Sequence, residues 1–337
     1  MVDRNDKTAG KDGPVRSIEE FIEKIQGVRI SWTKSKGYTG ECWYRGVRDQ
    51  TFELVPGAYW HQNCDEARLA NTFRQLAPAY LAREPIDDWE WYFLMQHYGL
   101  PTRLLDWSES PLVALYFALD GAQAGQQPVV WIMDPGALNT ISIGPEDAGS
   151  IVPGGDFTHH WLPTDGYQRF ARTFGFRGSK FNNRDPIAIM PKRREQRIVA
   201  QQGMFTVHGS RKLCLTKIFG GEKRLSTRLK PIPIAPHSVE PLRKQLQALG
   251  IFQATLFPEL SSVVMDIKRT FDVRRPDPGP TEARAITTSD DLGPPPVSAT
   301  RSSHSRVALG VAKVSKGTGA LQPRLHRQRF EPKQGRK

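Results

Sequence analysis

The stretch whose reading decides the fold is WEWYFLMQHYGLPTRLLDWSESPLVALYFAL, Trp89 to Leu119. Trp89 to Met95 is apolar with helical character and leads into Gln96-His97-Tyr98-Gly99. Gly99 can close that helix in the left-handed conformation. Leu100 stands before Pro101, and a residue before proline is pushed towards extended geometry, so the helix cannot continue. Thr102 to Trp107 then reads as a short strand. Ser110 caps a second helix, with Pro111 at its first position. Leu112 to Leu119 is apolar nearly all round, which predicts a buried helix. Gln96, His97, Thr102, Arg103, Asp106 and Ser108 crowd this junction. Polar groups there need one another, water or a ligand as partners.

Outward from this unit, residues 1–15 are polar with nothing to bury and read as disordered. Ser17-Ile18-Glu19-Glu20 is a capping box, followed by an apolar face of Ile18, Phe21, Ile22, Ile25 and Val28. Cys42 to Gly46 reads as a strand carrying an arginine to a glycine. Asp65 to Glu84 reads as one helix, with Leu69, Phe73, Leu76, Ala77 and Tyr80 on its face. Pro128 to Asp134 is a strand, and Pro135 to Arg184 reads as loop. Ile198-Val199-Ala200 and Met204 to Val207 read as a hairpin around Gln201-Gln202-Gly203. Leu213 to Phe219 and Leu229 to Ile234 are further strands. Ser238 caps a helix to about Leu249, closed by Gly250, and a last helix spans Leu260 to Phe271. Helices, then strands, then helices predict an α+β class: a single domain over 16–272 with a mixed or antiparallel sheet flanked by helices. No GxGxxG loop supports a doubly wound parallel sheet.

Net charge is +12 over 337 residues. From Arg274 onward there are 13 Lys/Arg against 5 Asp/Glu, so the tail carries most of the excess. The stretch 273–337 is rich in Pro, Gly, Ser and Arg without a period and reads as a disordered basic tail. Such a tail suits a solubilising role or nonspecific attachment to nucleic acid. Cys42, Cys64 and Cys214 are widely spaced, with no CxxC pair, so no metal site is expected. The first residues do not resemble a secretory signal, and no apolar run is long enough for a membrane helix. A cytoplasmic protein with no membrane partner is the expectation, its oligomeric state open.

Four segments together resemble the FRG domain family. They are Trp43-Tyr44-Arg45-Gly46 with Leu54-Val55-Pro56-Gly57; Gln96 to Trp107 with the helix from Pro111 to Ala118; Arg197 to Phe205; and Leu249-Gly250-Ile251 with Leu256 to Leu260. The resemblance spans about Ser17 to Phe271. The family occurs in bacteria and phages and brings no settled activity. The order of parts is also similar to mono-ADP-ribosyltransferases, which implies an ADP-ribosyltransferase-like fold with NAD as substrate or ligand. In that likeness Arg45 stands as dinucleotide anchor and Asp106-Trp107-Ser108 as the second element. Glu195 to Val199 form the third. Arg197 falls where the likeness expects a catalytic glutamate. An arginine there would oppose developing positive charge. The catalytic candidates are therefore His97, Asp106 and Glu195. Arg45, Arg103, Ser108, Arg197 and Gln201 are the candidates for holding a nucleotide.

Each of these residues also has a structural reading. Arg103 and Asp106 can form a partly buried ion pair. His97 can interact with the end of the helix before Gly99, and Ser108 can belong to a helix start. Three functional classes stay open: a nucleotide-binding, transferase-like or NAD-glycohydrolase-like protein; a nucleic-acid-associated protein of bacterial or phage conflict or regulation using its tail; and a protein-interaction module without a small ligand.

Overall fold

The computed structural model describes residues 13–34, 37–61, 64–149, 151–153, 158–163, 183–271 and 273. The basic tail, with its disorder and nucleic-acid readings, lies outside them from residue 274. Strands β1 (Trp43–Val47), β2 (Leu104–Ser108), β3 (Val129–Met133), β4 (Ile187–Ile189), β5 (Gly203–Val207) and β6 (Leu229–Pro233) form one sheet. Their order is β4-β5-β2-β1-β3-β6, and every neighbouring pair is antiparallel. The described helices are α1 (Ile18–Thr33), α2 (Gly57–Trp60), α3 (Glu66–Leu76), α4 (Asp88–His97), α5 (Pro111–Leu119) and α6 (Pro135–Ile143). They continue as α7 (Gln196–Ala200), α8 (Leu215–Gly221), α9 (Val239–Ala248), α10 (Gln253–Leu256) and α11 (Leu260–Thr270). The class is α+β, with an antiparallel sheet.

Local signals set the central unit. Asp87 accepts from the Glu90 amide to start α4 (2.8 Å), and Gly99 ends it at φ +81°. Ser110 accepts from the Val113 amide, with Pro111 at the first position of α5. Ser17 accepts from the Glu20 amide, while the Glu20 carboxylate accepts from the Arg16 amide at 2.8 Å, so the cap reaches one residue further back than the sequence pattern implies.

Both sheet faces are covered. On one face α1, α5 and α9 pack over β1, β3 and β6, burying Phe21, Ile25, Leu115, Ile132, Ile232 and Leu242. On the same face α3 and α4 pack over β4, β5 and the start of β2 through Trp89, Phe93, Leu104 and Phe205. The opposite face packs α6 and α8 against Trp43, Leu105, Trp107 and Met204. Each large apolar side chain so buried contributes about 1.5–3 kcal/mol.

Several sequence expectations are corrected. Val15, read as disordered, is fully buried and bridges to Ile234. The helix expected to reach Glu84 stops at Leu76 and passes into a 3-10 turn, because Pro78 lacks the amide that would extend it. Leu76 and Tyr80, expected on its apolar face, are exposed. Residues Ile198 to Ala200 are helical in α7 and do not form a hairpin strand. The strand expected at Leu213 to Phe219 is α8 over most of its length. The stretch from Pro135, read as loop, begins with α6, capped by Asp134.

Candidate functional site

The sheet is not equally zipped along its width. β1 pairs with β3 at five positions and β2 with β5 at five, but β1 meets β2 at a single pair, Tyr44 with Ser108. Beyond it the two strands diverge. A cleft of about 440 Å³ opens there, bounded by Arg45 to Arg48, Phe52, Trp60, Gln96, Asp106, Ser108, Phe117, Arg197 and Gln201. One wall is backbone against backbone. A Cβ on Gly46 would lie 1.9 Å from the Ala114 carbonyl oxygen, so only glycine lets α5 approach β1 this closely.

Arg45 spans the gap. Its Nη1 donates to the Asp106 carbonyl at 2.6 Å and lies 3.9 Å from the Asp106 carboxylate. Its Nε has no hydrogen-bond partner among the described residues. A guanidinium has five N–H donors, so most of this one's capacity is unspent. Burial pushes the Arg45 pKa down and Asp106 opposes that; arginine nonetheless keeps its charge. Asp106 is exposed, although its neighbours on β2 are buried. Its Oδ2 accepts from Gln96 Nε2 at 3.0 Å, and Gln96 Oε1 accepts from Thr102 Oγ1. The carboxylate is thus oriented by a chain of side chains.

Ser108 lines the cleft, but its hydroxyl donates to the Gln201 carbonyl (2.7 Å) and accepts from the Ser110 amide (3.0 Å). The Gln201 amide donates to the Leu256 carbonyl at 3.1 Å. Both groups frame the wall. Arg197, on α7, lies over the Phe257 ring at 4.7 Å and donates weakly to the His97 carbonyl at 3.4 Å. A smaller compartment shares Gln96, Asp106, Trp107, Arg197 and Gln201 with the main cleft and adds His97 and Glu195. There His97 Nδ1 lies 3.6 Å from Glu195 and Nε2 lies 4.0 Å from Glu259. Burial pushes the Glu195 carboxyl above its ordinary value, against the pull of His97 and Arg197.

Arg103 does not join this group, and its ion pair with Asp106 is not formed. Arg103 lies one residue before β2 begins. Arg103 Nε pairs with Glu66 at 2.7 Å instead, and Glu66 also accepts from the Arg103 amide and from Tyr92. Burial works against the Arg103 charge, but Tyr92, Glu66 and Tyr59 outweigh it and raise its pKa. Next to it His208 is fully buried, and its Nδ1 has no partner among the described residues. Burial, with Arg103 and Arg45 adding to it, pushes His208 down to about 3.

Sequence reasoning left out Arg48, Phe52 and Trp60, which complete the rim. Arg48 follows Arg45-Gly46 by two positions and Trp60 follows the Pro56-Gly57 turn. Neither position falls in a pattern that names a chemistry.

Fold and cleft together define an α+β domain whose antiparallel sheet parts at one strand pair to expose an arginine. The model of the FRG domain family matches residues 40–127. The match covers β1 through α5, with Arg45, His97, Asp106 and Ser108, and stops before Glu195, Arg197 and Gln201. The segments at Arg197 to Phe205 and Leu249 to Leu260 lie beyond it. No curated protein and no solved structure matches the chain. No described helix is long and apolar enough to cross a membrane.

Proposed function

We propose that the cleft between β1 and β2 binds a phosphate-bearing nucleotide, with NAD or ADP-ribose as the ligand to test first. The observation that carries this is the Arg45 guanidinium, held across the gap with donors unspent and joined in the same cleft by Arg48 and Arg197. Three cations against the single carboxylate Asp106 favour an anion, and a planar donor fork suits phosphate oxygens. The volume of about 440 Å³ falls in the range of small-molecule sites.

Turnover of NAD in this cleft would be hydrolysis. The bond between ribose C1′ and the nicotinamide nitrogen breaks, and nicotinamide leaves with the electron pair. Water adds to C1′ and gives up a proton, leaving ADP-ribose. Asp106 is the carboxylate of the main cleft and supplies negative charge beside a developing oxocarbenium ion. Arg197 cannot supply it. Calorimetry with NAD and ADP-ribose, beside a nicotinamide-release assay, tests both parts. Binding without release leaves a nucleotide-binding domain. Neither binding nor release at millimolar ligand ends the nucleotide reading.

A further inference from the structure

Trp60 closes α2 at the rim of the cleft and exposes 59% of its surface. Large aromatic side chains gain most by burial, so an exposed indole beside a cationic cleft asks for a partner. Its ring meets Phe52 in a T-shaped contact, centroids 6.3 Å apart at 75°. Phe52 lines the same cleft, is half-buried and packs against the core. Trp60 belongs to none of the core clusters. The indole thus touches Phe52 yet stays more than half exposed, in a cleft lining that also holds Arg48 and Arg45.

We infer that Trp60, braced by Phe52, is the subsite for a heteroaromatic base, so the cleft selects nucleotides over plain phosphates. The inference rests on the phosphate-binding reading of the cleft. An aromatic face takes any planar base by stacking, while the neighbouring guanidinium groups hold the phosphates attached to it. The ring and the charges then read two parts of one ligand.

Calorimetry on the full chain tests it with three probes: inorganic pyrophosphate, ADP-ribose and nicotinamide mononucleotide. Trp60→Ala should weaken ADP-ribose or nicotinamide mononucleotide by roughly tenfold or more and leave pyrophosphate unchanged. Whichever nucleotide loses affinity identifies the ring that stacks. Trp60→Phe should restore most of it, and an unchanged melting temperature in both variants shows that the fold is intact. Arg45→Ala should weaken all three. If Trp60→Ala binds both nucleotides like the wild type while Arg45→Ala loses them, the base subsite is overturned and the phosphate reading stands. If the wild type binds none of the three, the phosphate reading falls and the base subsite with it.

Discussion

Arg45 and Asp106 meet where the sheet is open: the guanidinium bonds the main-chain carbonyl of the residue whose carboxylate lies 3.9 Å away. A side chain thus does what a strand-to-strand amide does elsewhere in the sheet, and it keeps donors in reserve.

Arg45→Ala should weaken ADP-ribose binding about tenfold to a hundredfold, the range for a hydrogen bond to a charged group. Arg45→Lys should not recover it, since an ammonium cannot bridge the Asp106 carbonyl and a phosphate as a planar fork does. Titration calorimetry reads both variants.

Asp106→Asn keeps the shape and the contact with Gln96 but removes the charge. Affinity for ADP-ribose should be kept or slightly raised, because a repelling carboxylate is gone. Nicotinamide release from NAD should drop by at least about a hundredfold if Asp106 stabilises the transition state. Equal release from wild type and variant would remove Asp106 from the chemistry.

Glu66→Ala leaves the Arg103 charge buried and unpaired, a change that costs about 3–5 kcal/mol. Replacing both partners, as Glu66→Leu with Arg103→Met, should recover much of it. Chemical denaturation of the wild type and the two variants measures the difference.

His208 sets an acid limit. Its folded pKa is about 3, far below that of an exposed histidine. Between those values the unfolded chain takes a proton that the folded chain refuses. The contribution is therefore whole above the unfolded value, about pH 6.5, and falls by up to about 1.4 kcal/mol per unit below it. His208→Gln, which does not titrate, should flatten stability against pH between about 6 and 4. An unchanged slope would mean that the imidazole is not the group responsible.

The sequence carries most of the central unit, because its punctuation is local. Gly99, Ser110 and Pro111 each act within a turn, and the structure uses all three. Asp134-Pro135 is the same start signal as Ser110-Pro111, so α6 was equally legible but hidden by the glycines around it. At α7 a short apolar run, Ile198 to Ala200, fits strand and helix alike, and tertiary packing decided for helix. The site was legible in composition and not in orientation. Arg103 and Asp106 share one motif, yet Arg103 precedes β2 and takes its partner from Glu66, 37 residues away. No local pattern reports a pairing of that kind.

Gly46 marks a division of labour in how the cleft can change. Where a missing Cβ lets α5 rest on β1 backbone to backbone, there is no side chain to retune, and any substitution separates the two elements. The rim of Arg48, Phe52 and Trp60 is made of side chains that are exposed or half-buried. New ligand preferences in this architecture would therefore arise along that one rim, with the wall at Gly46 as the invariant gauge against which each variant is fitted.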